Sequence, residues 1–162
     1  MKGRNLLLWL FAFLAVVVIN VLVIQKEQLS ANGQLVLLEL APVDPRSLVQ
    51  GDYMRLRYDV SNEVENETDM RDGFIVVQLD TDNVAQYVRI HDLNTSLAQD
   101  DLLLRFHQRT YDVRVGPESF FFQEGTAKYY NNARYGEFRV SKSGDVLLTG
   151  LRGEDFEELG PP

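Results

Sequence analysis

Nineteen consecutive positions, Leu6 to Ile24, carry a single polar side chain, Asn20. As a helix rising about 1.5 Å per residue, such a run spans roughly 28 Å, close to the ~30 Å hydrocarbon thickness of a bilayer. Trp9 sits near its start, where an interfacial ring is expected. Lys2 and Arg4 precede the run, and Gln25, Lys26 and Glu27 follow it with no net charge. The positive-inside rule then predicts a cytoplasmic N-terminus, with everything after Gln28 beyond the membrane. A cleavable signal would have a shorter apolar core and a small-x-small site, whereas the best candidate here, Leu29-Ser30-Ala31, begins with a large Leu. The reading is an uncleaved signal anchor over residues 1–27. Within it, Asn20 is a candidate membrane-helix contact, unless it lies near enough to the outer interface to meet water.

Beyond Gln28 the period changes from helical to two. Gln34 to Ala41 is an apolar run, and Gly51 to Val60 alternates, with Met54, Leu56, Tyr58 and Val60 on one side and Tyr53, Arg55, Arg57 and Asp59 on the other. Further strands are predicted at Phe74–Leu79, Gln86–Ile90, Leu102–His107, Thr110–Val115, Ser119–Phe122, Gly136–Val140 and Asp145–Leu151. Ser143-Gly144 makes the turn of the last hairpin. Val60 to Asp72 and Asp92 to Asp101 read as polar connections, either able to hold a short helix. A helix is predicted from Glu124 through Ala127, Tyr130 and Ala133 to Arg134, stopped by Gly136. The expected architecture is mainly β, an antiparallel sandwich or barrel-like domain over residues 28–152 with one short helix, preceded by a single transmembrane helix. Residues 153–162, acidic and ending in Gly-Pro-Pro, are expected to form a flexible tail.

With 162 residues there is room for one domain and little more. The absence of cysteine excludes disulfides, thiolate metal sites and cysteine nucleophiles. From Glu27 onward lie all 24 acidic residues but only 13 of the 16 basic ones, a net charge of −11. That field argues against nucleic acid as a partner, and against long-range attraction to anionic head groups. Of those 13 cations all but Lys128 and Lys142 are Arg, the residue suited to fixed, bidentate pairing with carboxylates.

The most distinctive string runs from Pro42 to Tyr58. Within it Gly51-Asp52-Tyr53, Leu56 and Tyr58 match the Gly-Asp-Tyr-x-x-Leu-x-Tyr signature, and on these residues the chain resembles the GDYXXLXY proteins, an uncharacterised bacterial family. Asp44-Pro45-Arg46 upstream and Phe121-Phe122-Gln123-Glu124-Gly125 downstream are similar to that family too. The resemblance implies a bacterial inner-membrane protein with a periplasmic domain, encoded beside multi-pass membrane proteins. It implies no particular reaction.

The same string has a physical reading of its own. Pro45 restricts Asp44 and starts a turn, Gly51 permits a positive φ ahead of the strand, and Asp52 is placed to accept backbone N–H groups across the turn. Arg46 is in reach of a bidentate bond to Asp52 or Asp44. A braced corner accounts for all of this. The functional alternative is a recognition patch, with Arg46, Gly51, Asp52, Tyr53, Arg55, Tyr58 and Glu124 as candidate binding residues for a partner or small ligand. A third reading, an enzyme of unknown reaction around Arg46, Asp52 and Glu124, lacks a complete constellation. The Pro-x-x-Leu-x-x-Gly-Asp pattern is similar to the nucleophile segment of type I signal peptidases, but their serine position is Pro42 here and no lysine follows until Lys128, which disfavours such a hydrolase.

His91 and His107 have no partner at metal-ligand spacing, and Asp80-Thr81-Asp82-Asn83 lacks the glycine and distal glutamate of a calcium loop, so no metal and no cofactor is expected. The adjacent carboxylates Asp100-Asp101 and Glu157-Glu158 read as solvated. Two sequons, at Asn66 and Asn94, are idle in the bacterial setting that the resemblance implies. In Phe120-Phe121-Phe122 alternation turns Phe121 away from its neighbours, so one ring is either exposed or covered by the Glu124 helix. The function expected is therefore that of a non-enzymatic, membrane-anchored accessory or binding subunit, partnered with a multi-pass membrane protein.

Overall fold

A computed structural model describes residues 2–41, 53–68, 70–92, 94–109 and 112–162, with side chains from Leu8 onward. Helix α1, Lys2–Asn32, begins the chain. Every side chain from Leu8 to Gln28 is exposed, including Trp9 at 76% and Phe13 at 68%, and Leu8–Asn32 is long and apolar enough to cross a membrane. Leaving a Leu or Phe side chain in water rather than burying it forgoes about 1.5–3 kcal/mol, so an apolar surface of this extent belongs in lipid or against another apolar helix. Asn20 turns its amide back on its own helix and donates to the Val16 carbonyl at 2.8 Å.

The remainder is antiparallel β, as its alternation predicts. Strand β1, Gln34–Glu39, pairs with β8, Tyr135–Val140, which pairs with β9, Val146–Arg152, which pairs with β10, Glu158–Leu159. A second sheet has β3, Asp72–Leu79, flanked by β4, Ala85–Ile90, and β5, Leu102–Arg109, with β6, Asp112–Arg114, beyond β5. A ribbon of β2, Tyr53–Arg55, and β7, Ser119–Phe121, completes the set. Both larger sheets contribute to one core, Val36, Leu38 and Phe138 meeting Ile75, Leu104 and Phe106. Leu37, facing the other way, is buried too, and Val84 meets the edge of β1 at that residue through a parallel bridge; a strand buried on both faces reads as a continuous apolar run. The β8–β9 hairpin turns at Gly144, whose φ of +83° suits a residue without Cβ.

Four expectations need correction. The strand foreseen over Gly51–Val60 is regular only from Tyr53 to Arg55. The chain stays extended to Tyr58, which bridges Leu40, and then enters helix α2, Asp59–Glu67. Val60 and Val64, one turn apart, are buried, so the acidic stretch hides an apolar helix face. The helix foreseen from Glu124 shrinks to a 3₁₀ turn, Ala127–Tyr130. Gly125 adopts φ +78°, outside helical space, and Thr126 closes a tight turn by donating its hydroxyl to the Gln123 carbonyl at 2.6 Å. Gly136 lies inside β8 rather than stopping a helix, and a Cβ there would meet the Phe138 ring at 2.9 Å. Finally, the acidic C-terminal segment is tied down. β10 pairs with β9, Arg152 Nη1 donates to the Phe156 carbonyl at 2.8 Å, and the Phe156 ring packs 5.1 Å from that of Tyr135.

Candidate functional site

The described part of the signature, from Tyr53 to Tyr58, runs through β2 and the extended residues after it, and its alternation divides the side chains. On the inner side Met54, Leu56 and Tyr58 are buried. Tyr58 is 2% exposed, meets Phe138 edge-on at 5.3 Å and donates its hydroxyl to the Pro117 carbonyl at 2.8 Å. Burial, reinforced by the nearby Glu118 charge, holds the Tyr58 phenol well above its ordinary pKa, so it stays a neutral donor. The Leu56 amide donates to the Glu118 carbonyl at 2.8 Å, extending the β2–β7 pairing by one bond. The Leu-x-Tyr half of the signature is thus a core tie between β2 and the turn ahead of β7.

The outer side is polar and aromatic. Tyr53 stands opposite Phe121 in register, their rings 5.7 Å apart, and Phe121 is 74% exposed. Phe120 and Phe122 point inward against Tyr130 at 5.1 and 5.3 Å, so Phe121 is the ring that alternation leaves outside. Glu124, exposed, follows Phe121 by three residues at the same end of the ribbon as Tyr53. At the other end Arg55 shares a notch of about 230 Å³ with Arg57, Asp112, Arg114 and Glu118. Arg114 Nε donates to Glu118 at 2.8 Å and to Asp112 at 3.3 Å, and Arg57 pairs with Glu65 at 2.8 Å. Glu118 nevertheless has a raised pKa, because desolvation and a hydrogen bond to Asp112 outweigh the attraction of Arg114.

Of the residues singled out by sequence, Tyr53, Arg55 and Tyr58 share the ribbon and its extension, Glu124 lies at one end of it, and Asn20 is remote on α1. Arg46, Gly51 and Asp52 lie outside the described residues, as does the turn they were expected to brace. Sequence reading missed the Asp112–Arg114–Glu118 cluster. Its only local signal was a carboxylate two residues before an arginine on a strand, and another four residues after it.

Other sequence candidates take structural places. Asp80 accepts the amides of Asp82 and Val84, both at 2.9 Å, making the turn expected there. His107 Nδ1 lies 2.5 Å from Asp72, whereas the buried Nδ1 of His91 has no hydrogen-bond partner among the described residues. Among the described residues no three His, Asp or Glu side chains gather as a metal site.

A family model, described as GDYXXLXY protein, matches residues 15–151, from within α1 to β9. The chain belongs to this family. No curated protein and no solved structure matches it. The family's Leu and Tyr positions are Leu56 and Tyr58, both in the core, and its Tyr53 opens the exposed aromatic pair.

Proposed function

We propose that this GDYXXLXY protein is a membrane-anchored binding subunit that docks a multi-pass partner of the bacterial inner membrane through the outer side of the β2–β7 ribbon. The observation that carries the reading is the Phe121 ring, 74% exposed and paired with Tyr53. An isolated exposed apolar residue is ordinary, but two adjacent rings on a short ribbon whose other end carries Arg55 reproduce the composition of interface centres, where Tyr, Phe and Arg are enriched. α1 supplies the tether, with Lys2 and Arg4 holding the N-terminus in the cytoplasm and the β domain outside it. Asn20, with one N–H of its amide given to Val16, still has its second N–H and its amide oxygen to offer a neighbouring transmembrane helix. The test is purification of the tagged full chain from native membranes in mild detergent, beside Phe121→Ser and Asn20→Leu. A multi-pass protein should accompany the parent chain and be lost with Phe121→Ser; recovery of the parent chain alone would sink the proposal.

A second reading, a small charged ligand in the Arg55–Arg114–Glu118 notch, draws support from the raised Glu118 pKa. It makes the opposite prediction for the pull-down, in which Phe121→Ser changes nothing.

A further inference from the structure

Where α1 leaves its apolar stretch, the polar residues Gln25, Lys26 and Gln28 form one wall of a groove of about 1200 Å³. The facing wall comes from β5, β6 and the β8–β9 turn. Among the described residues the charged lining of the groove is one-sided, with Lys26, Arg105, Arg109, Arg114 and Lys142 set against one carboxylate, Asp145. With Asp72, Asp112 and Glu118, which pair with lining residues from outside it, the balance is near neutral in a domain whose net charge is strongly negative, and the cations left over are Lys26, Arg109 and Lys142.

Strand periodicity builds the wall. Leu104 and Phe106 face the core, so Arg105, His107 and Arg109 alternate outward as a ladder about 14 Å long, and Arg114 stands opposite His107 in register. Arg105 shares Asp145 at 3.6 Å with both side chains about half exposed, and Arg114 is held by Asp112 and Glu118. Lys26, Arg109 and Lys142 are exposed and form no ion pair among the described residues, although Asp112 faces Arg109 in register.

Depth decides what such a groove can meet. The apolar run ends at Ile24, and the head-group layer occupies roughly 5–8 Å beyond the hydrocarbon, or about three to five helical residues. Gln25 to Leu29 therefore lie at phosphate level once α1 spans a bilayer. The acidic domain as a whole is repelled by an anionic surface, but a tethered domain needs no long-range attraction. It is already at the surface, and only short-range pairing counts within a Debye length of about 8 Å.

We propose that this groove holds the phosphodiester head groups of anionic lipids in the leaflet facing the β domain, with Arg109, Lys142 and Lys26 as the principal contacts. The inference rests on α1 being a membrane anchor. Its test uses the full chain in nanodiscs of phosphatidylcholine with about a third phosphatidylglycerol, with the lipids retained on release counted by native mass spectrometry. At about a factor of five per surface cation, Arg109→Gln with Lys142→Gln lowers phosphatidylglycerol retention roughly thirtyfold. Lys128→Gln with Arg134→Gln removes the same charge away from the groove and leaves retention unchanged.

Equal losses in the two double variants, or equal retention of the two lipids by the parent chain, would overturn the proposal. So would inorganic phosphate at millimolar concentration displacing the lipid, since that marks a pocket for a free anion. An alkaline wash separates the two levels of failure. A chain stripped from the bilayer overturns the anchor and the groove together, and one that stays embedded without lipid preference overturns the groove alone.

Discussion

The two sides of the β2–β7 ribbon and its extension differ more than their neighbouring sequence suggests. Tyr58 is 2% exposed and locked between Phe138 and the Pro117 carbonyl, whereas Phe121, on the partner strand, is 74% exposed beside Tyr53. Both residues are aromatic and both belong to strings resembling the family. A signature residue is thus no guide to function until its direction is known: Tyr58 holds the fold, and Phe121 is free to hold something else.

The largest effect should come from the inner side. Tyr58→Ala removes a buried ring from beside Phe138 and close to Gly136 and Gly116, and should cost about 3–5 kcal/mol, as large aromatic truncations in cores do. Tyr58→Phe keeps the ring but leaves the Pro117 carbonyl without that donor, for a loss of about 1 kcal/mol. Urea unfolding of the full chain in detergent, followed by circular dichroism, measures both. A Tyr58→Ala protein as stable as the parent would erase the distinction between the two sides.

That contrast shows what the sequence made legible. Period-two alternation put Met54, Leu56, Tyr58 and Val60 on one side, and all four are buried, even though Val60 reaches the core from a helix. Turn chemistry located the Ser143-Gly144 hairpin, and unbroken hydrophobicity located α1. These signals are local. The sequence leaves α2 open, as a short helix that the polar Val60–Asp72 connection is able to hold, because its apolar face is only Val60 and Val64 among acids; it misses β10 because two residues have no period. The pairing of Tyr53 with Phe121 joins segments far apart in the chain, and the groove draws on the end of α1, on β5, on β6 and on the β8–β9 turn. Nothing in local spacing encodes such meetings, so the elements could be read while the sites they assemble could not.

A smaller effect, from the notch at the ribbon's end, separates charge from packing. The Glu118 pKa is raised in the folded chain, chiefly by desolvation, from an ordinary 4.5. A raised folded pKa means that the folded state holds the proton more tightly, so the associated stability is present below the unfolded value and fades as pH rises through the folded one. Glu118→Gln should therefore gain stability relative to the parent as pH climbs from about 4 to 7, and thermal melts across that range measure the difference. Asp101 has the opposite sign. The Ala98 amide and the Gln78 side chain, followed by Arg89, hold its carboxyl below the usual range, so its contribution is present at neutral pH and fades on acidification. A Glu118→Gln difference that runs with Asp101 rather than against it would mean that Arg114, at 2.8 Å, governs the notch.

The smallest expected change in stability is the one that sharpens the comparison most. Phe121→Ser removes a ring that is mostly in water, so its effect on unfolding should stay within about 0.5 kcal/mol, the range of ordinary surface substitutions. Part of the Tyr53 ring loses its neighbour, a contact worth about 0.5–1.5 kcal/mol when buried and at the low end here, where Phe121 is mostly in water. If the same substitution abolishes partner recovery while the melting curve stays in place, Phe121 is retained for binding and not for folding. A loss of several kcal/mol would instead mean that the ring is covered in the full chain, and that the outer side of the ribbon is one more part of the core.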